Sequence, residues 1–392
     1  MSGSFRFEAL SGDGALPALR PVWNALLDAS PSDTVFLTWE WMDSWWRSYG
    51  RGRELHIVVA RRDGDVVGLL PVTVAPEPWK RILRVRTLRL LGDGSYDSDY
   101  LDFIARTGLS EELVPALWTW LKRGSGVRFD VARLSEMPAL SPHVAALRPH
   151  LARQGDLLEE ERVRCVYTPL PDRWETLLAS FKPRMRTKVR SLRRNLEAAH
   201  AVRLLRCGTL EEADRRLPSL FDLHARRWER RGRPGVFGGA AKRTFYHEAS
   251  RALLERGWLQ FYTLEVDGEA VAHQYCMGYK GTMYLLQEGF EPSWEEKGVG
   301  NVLRAMVLER AIAEGFRTYD FLAGATEHKL SWAGQEKESV RLAGRGPGLM
   351  GLAASGLAGL GRALEPLRGG LRRGGKEPRG VPAAGTDAER GA

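Results

Sequence analysis

The stretch Glu295-Glu296-Lys297-Gly298-Val299-Gly300 decides how this chain is read. An apolar β-type segment, Thr282 to Glu288, precedes it, and a helical run, Asn301 to Gly315, follows. A further β-type segment spans Arg317 to Phe321. Two glycines spaced G-x-G at a helix start leave backbone N–H groups bare. With the positive end of the helix, those groups form an anion site suited to a pyrophosphate. Glycine matters there because a side chain would block close approach of the ligand.

Upstream, Leu259 to Val266 reads as a strand, Asp267-Gly268 as a hairpin turn, and Glu269 to Tyr279 as the return strand. Lys280-Gly281 turns again into Thr282 to Glu288. The order is β-β-β-α-β. It occurs twice. Leu55 to Gly68 parallels Leu259 to Ala272, with Leu55, Asp63, Gly64 and Val67 falling on Leu259, Asp267, Gly268 and Val271. Val85 to Leu91, a helix from Ser110 to Arg123 and a strand from Phe129 to Leu134 complete the first copy, which lacks a G-x-G before its helix. A fixed internal repeat predicts tandem domains of one architecture. The expected division is 1–165, 166–343 and a basic Gly/Ala/Arg tail at 344–392.

The 392 residues are 43% hydrophobic, as a globular chain should be, with a formal net charge of +9. No signal segment or transmembrane run is seen, and Cys165, Cys207 and Cys276 have no metal spacing. The expected location is cytoplasmic, at the inner face of a membrane if the tail binds one, and no metal is expected. Leucines from Leu349 to Leu371 recur at mostly helical spacing in the tail, with arginines between them, a weak pattern for an anionic membrane surface. Lys182 to Arg194 is a one-signed basic run, from which Arg186 and Arg190 are candidate contacts to an anionic substrate. No zinc pattern or leucine zipper points to specific nucleic-acid binding.

These features resemble the GNAT acyltransferases, whose phosphate loop is Gln/Arg-x-x-Gly-x-Gly/Ala; here Glu295 holds the first place. Val35 to Tyr49, Leu88 to Asp102 and Tyr319 to Trp332 further resemble the CelD-like type, associated with cellulose and exopolysaccharide biosynthesis, over about residues 20 to 340. His328 stands where that type usually has a tyrosine. The resemblance implies tandem GNAT-like domains in an α/β (α+β) fold, each a mostly antiparallel mixed sheet flanked by helices. It also implies an acyl-CoA co-substrate, held by Lys297, Gly298, Val299, Gly300 and Asn301, and a glycan-precursor acceptor. The basic helix and Lys329 resemble the Fem-type aminoacyl transferases, whose donor is aminoacyl-tRNA. A third reading is a non-catalytic polysaccharide-assembly protein on the same fold.

Acyl transfer needs a base near the attacking group and donors facing the oxyanion. Glu288, beside the phosphate loop, is the expected base; His328, which titrates near neutrality, is the other candidate. Asp320, inside the closing strand, needs a partner, for which Lys329 or His328 is expected, and Lys329 is also placed to stabilise an oxyanion. Asp97 and Asp99, in the acidic loop Asp93 to Asp102, are expected to face a substrate across the interdomain cleft. Trp39, Trp41, Trp45 and Trp46 are expected to pack between the domains, the alternative being a sugar platform.

Overall fold

The computed structural model describes residues 4–80, 82–229 and 237–358. The first half runs β1 (Arg6–Ser11), α1 (Ala15–Asp28), α2 (Trp39–Tyr49), β2 (Glu54–Arg62), β3 (Asp65–Trp79), β4 (Leu83–Leu90), a short β5 (Ile104–Ala105), α3 (Ser110–Arg123), β6 (Val131–Pro138), α4 (Pro142–Arg153) and β7 (Leu157–Pro169). Then follow α5 (Trp174–Ser180), α6 (Pro183–Ala199), β8 (Val202–Arg206), α7 (Leu210–Glu229), α8 (Ala240–Glu255), β9 (Leu259–Val266), β10 (Glu269–Tyr279) and β11 (Thr282–Phe290). The chain finishes its sheet with α9 (Val299–Ala313), β12 (Thr318–Ala323), α10 (Glu327–Trp332) and β13 (Gln335–Arg345).

The hairpins form where the sequence marks them. Asp63-Gly64 and Asp267-Gly268 both take positive φ at the two turn positions, 53° and 90° in the first pair and 52° and 87° in the second. That is the two-residue turn whose twist matches paired strands.

One mixed sheet of 13 strands carries both halves, in the order β1-β2-β3-β4-β6-β13-β7-β12-β11-β10-β9-β8, with β5 beside β3. The list reads symmetrically about its centre: β1 answers β8, β2 answers β9, and β6 answers β12. The parallel step falls at the same place in each half, β4 against β6 and β11 against β12. The repeat is therefore an architectural one. The last strands are exchanged. β7, the end of the first half, pairs with β12 of the second, while β13 pairs with β6 of the first. The two exchanged strands then pair with each other from Gln335↔Tyr167 to Gly344↔Leu157. The position 165/166 lies inside β7.

Aromatic packing locks the halves together. Trp41 meets Phe245 of α8 edge-on at 5.0 Å, and Phe36 meets Tyr284 of β11 at 5.5 Å. Trp41 and Trp45 are 1% and 0% exposed, and their indole N–H groups donate to Ser98 and Ser95. A sugar cannot reach such rings, so these tryptophans are interior packing. The tail begins as structure: β13 extends through Arg345, and residues 349–358 are helical. Leu360, Leu364, Leu367 and Leu371 lie outside the described residues. Among the described residues, no helix is long and apolar enough to cross a membrane.

Candidate active site

The glycine loop opens α9 as its spacing requires. Gly298 is the residue before the helix, at φ 67° and ψ 31°. That left-handed backbone strains any L side chain, and a Cβ there would lie 2.6 Å from Leu192 of α6. At Gly300 a Cβ would stand 3.3 Å from the Phe290 ring. Asn301 and Val302 donate their N–H groups back to the Gly298 carbonyl. No backbone acceptor among the described residues takes the N–H of Val299 or Gly300, so the helix start retains donors for an anion. Val299 itself is buried, and its side chain anchors the turn. Lys297 is exposed and sits 2.9 Å from His200 Nε2 and 5.0 Å from the centre of the Trp294 ring. The first half lacks this device: α3 opens with Glu111 and Glu112, and carboxylates there repel a phosphate.

Beside the loop, β11 and β12 pair only through Thr282↔Thr318, Met283↔Tyr319 and Tyr284↔Asp320. Beyond that register they are no longer paired. Glu288 lies past this point, on β11. It is not free to act as an isolated base. Arg304 of α9, 1% exposed, donates to the Glu288 carboxylate and lies 3.2 Å and 3.3 Å from the two ring nitrogens of His328. A guanidinium only donates, so the His328 nitrogen that accepts from it carries no proton. The Arg304 carbon lies 5.5 Å and 5.6 Å from the Phe321 and Trp332 ring centres, which enclose its charge. The same Glu288 oxygen, Oε2, also accepts from Gln274 at 3.3 Å, and Gln274 accepts from Tyr319 at 3.1 Å. The chain Tyr319–Gln274–Glu288–Arg304–His328 thus joins β12, β10, β11, α9 and α10. Sequence reasoning missed Arg304. Its signal was a lone charge within the apolar run Val299 to Leu308.

A second cluster forms at the seam of the halves. Asp320, fully buried, accepts from the Tyr100 hydroxyl at 3.0 Å and from the Leu322 N–H at 2.8 Å. Its charge partner is Lys337 of β13, at 2.7 Å, not Lys329 or His328 as expected. The reason is the strand exchange, which lays β13 beside β7 and close to β12. Lys329 instead caps backbone: its ammonium donates to the carbonyls of Phe321 and Ala323 at 2.6 Å and 2.7 Å. Burial pushes the Lys329 ammonium below the usual lysine range, partly offset by the Asp99 charge. Asp99 comes from the first half and accepts from the Ala323 N–H at 3.3 Å. Desolvation, with the charges of Glu136 and Asp320, pushes its carboxyl up to about 7, against the pull of Lys329. Three non-glycine residues here hold positive φ: Tyr100 at 52°, Glu136 at 59° and Leu322 at 62°. A bulky residue in that region is a strained one, held by its surroundings. Leu322 sits where the β12–β7 register slips, between Asp320 and Ala323.

The acidic loop does not act as one unit. Asp93 pairs with Arg89 at 2.9 Å, and Asp102 holds Ser32, Ser141 and His143. Asp97 is fully buried and takes Tyr49 at 2.7 Å, Tyr246 at 3.1 Å and Lys242 at 2.8 Å. Those partners fill its oxygens and remove Asp97 from any substrate surface; it ties the loop to α8. Of the two expected substrate carboxylates, Asp99 alone meets the second half beside Lys329, at the Ala323 N–H. On α6, Arg190 is exposed, as are Arg184, Lys188 and Arg194. Arg186 donates to the Ala179 carbonyl at 3.1 Å, which ties it to α5. Arg193 pairs with Glu197 at 2.8 Å and Glu309 at 2.6 Å.

Comparison with known proteins follows the same lines. Residues 183–330 match the family described as an acetyltransferase (GNAT) domain. The chain therefore carries an acyltransferase domain over the segment that holds α6, the glycine loop and Lys329. No curated protein matches the sequence. Among solved structures, the crystal structure of FemX superposes with a TM-score of 0.59 at 13% identity, covering 82% of this chain and 95% of that one. A conserved Bacteroides thetaiotaomicron protein of unknown function gives 0.52 at 13% identity, covering 83% and 97%. The C-terminal domain of a putative lysylphosphatidylglycerol synthetase from Agrobacterium fabrum gives 0.51 at 10% identity, covering 89% and 96%. At these identities the likeness is one of fold, and it extends across both halves.

Proposed function

We propose that the protein moves an acyl group from acyl-CoA to a sugar-linked amine or hydroxyl during envelope or exopolysaccharide assembly. The observation that carries the donor half is Gly298 in left-handed backbone at the start of α9, with the N–H groups of Val299 and Gly300 lacking backbone acceptors. The pyrophosphate rests there, with Lys297 at its edge. The acyl carbonyl lies beyond the paired part of β11 and β12, within reach of the Glu288–Arg304 pair. Glu288 takes the acceptor's proton, and Arg304 keeps that carboxylate ionised until it does. Lys329 steadies the strained turn at Leu322 and offers its remaining N–H to the developing oxyanion. The acceptor reaches this point from the seam, past Asp99. The sugar-linked acceptor rests on the resemblance to the CelD-like type. Coenzyme A should raise the melting temperature, and Gly300→Asp should remove that rise. No shift at saturating coenzyme A rejects the donor.

One observation favours a second donor. The exposed cations Arg184, Lys188, Arg190 and Arg194 lie on the helix whose Leu192 touches Gly298. A basic helix against the donor loop suits a longer polyanion, and FemX shares the fold on both halves. Under that reading an aminoacyl-tRNA replaces acyl-CoA, and tRNA, not coenzyme A, raises the melting temperature.

A further inference from the structure

Residues 349–358 read Leu-Met-Gly-Leu-Ala-Ala-Ser-Gly-Leu-Ala, a helix without one charged side chain. Its inner side is settled: Ala354 and Ala358 pack with Trp79, Val85, Val131, Leu158 and Ala343. The outer side presents Leu349, Met350 and Leu352, which are 84%, 38% and 53% exposed. A surface helix normally turns polar residues outward; this one turns leucines. The β3–β4 hairpin packs on the same helix through Trp79 and Leu83, and its tip carries Ile82, 76% exposed. Cations flank the apolar face. Arg123 lines a groove with Leu352, and Arg84 stands exposed beside Ile82; neither forms an ion pair with any described residue. In the sequence beyond the described residues, Leu360, Leu364, Leu367 and Leu371 recur after Leu349 and Leu352, and between Leu360 and Arg373 four arginines, Arg362, Arg368, Arg372 and Arg373, occur with one acid, Glu365.

We propose that this face docks on an anionic bilayer, with Leu349, Leu352 and Ile82 entering the headgroup boundary and Arg84 and Arg123 meeting lipid phosphates. Apolar insertion and cationic attraction together are the two signals that stable attachment to a membrane surface takes, since one alone gives only marginal binding. A protein groove would need a shaped, polar-rimmed counterpart; a lipid surface needs only this exposed apolar face with cations at its edge. The surface shares no residue with the glycine loop or its packing partners, so its test is independent of any donor.

The test is sedimentation of the full chain with vesicles of phosphatidylcholine alone and of phosphatidylcholine mixed with phosphatidylglycerol. Binding to the mixed vesicles, weakened by salt, is expected, with little binding to the neutral ones. Leu349→Asp with Leu352→Asp should cut binding about tenfold or more, and Ile82→Asp should weaken it independently. Arg84→Glu with Arg123→Glu should remove the preference for phosphatidylglycerol. These side chains are exposed, so the melting temperatures of all variants should stay at the wild-type value. Wild-type protein left in the supernatant, or variants that bind as wild type does, overturns the proposal. A dimer in solution that Leu349→Asp disperses, without vesicle binding, assigns the face to a second copy of the chain.

Discussion

Arg304 and Glu288 are held as an ion pair in which the guanidinium is 1% exposed and the carboxylate side chain 24% exposed. A buried cation so placed depends on its carboxylate for compensation, because an unpaired charge in that setting is costly. Glu288→Gln should therefore cost roughly 2–4 kcal/mol of stability as well as about a hundredfold or more in turnover. The double variant Glu288→Met with Arg304→Met separates the two effects. Chemical denaturation should show most of the stability restored, while acyl transfer stays absent. Turnover returning with stability would show that the pair only holds the fold.

His328 and Lys329, neighbours in sequence, have different fates. His328→Phe should leave turnover within about threefold of wild type, because both ring nitrogens lie against the Arg304 guanidinium, a cation that opposes protonation of the ring. Lys329→Ala should release the carbonyls of Phe321 and Ala323 and lower turnover about tenfold or more. Steady-state kinetics with both variants checks this. A dead His328→Phe variant would move the base from Glu288 to His328.

Asp99 sets a pH dependence. Its native carboxyl titrates near 7, whereas the unfolded chain releases that proton near the ordinary aspartate value of 3.8. Between those limits the native state binds more protons than the unfolded one, so stability falls as pH rises through the window. Asp99→Asn removes this term. The melting temperature of the variant should match wild type near pH 4, gain on it up to about pH 7, and hold a constant lead above that. Parallel curves through the window would mean that Asp99 titrates normally.

The two loop glycines should differ. Gly298→Ala must adopt positive φ and meets Leu192 at 2.6 Å, and should cost about 1–3 kcal/mol. Gly300→Ala meets Phe290 at 3.3 Å in ordinary helical backbone and should be nearly neutral for folding. Thermal unfolding of the two variants without ligand distinguishes them. Equal losses would show that the loop conformation is not the one described.

The hairpins, the repeat and the glycine loop were legible because each is written locally. Asp-Gly pairs dictate their turns, and the apolar run after Gly300 dictates its helix. Boundaries slipped slightly: α9 begins at Val299, not Asn301, because Gly298 already turns the chain. The partner of Asp320 was not legible. Nothing near Asp320 in sequence points to Lys337, since their meeting depends on the exchange of β7 and β13 across the seam. Asp97 was misread for a related reason. Its three partners come from α2 and α8, and a loop rich in aspartate looks solvent-facing until those elements close over it. Arg304 was missed although it stands as a lone charge in an apolar helix, because its hydrogen-bond partners Glu288 and His328 come from β11 and α10.

The exchange of β7 and β13 also governs how the chain is made. While the ribosome delivers residues in order, β6 has no neighbour on its outer side, because β13 at Gln335–Arg345 emerges long after it. The first half therefore waits with an open edge for nearly the whole of synthesis of the second. A nascent chain stopped before Gln335 holds two unfinished sheets, and pulse-labelled intermediates should gain protease resistance only after the last strand is released.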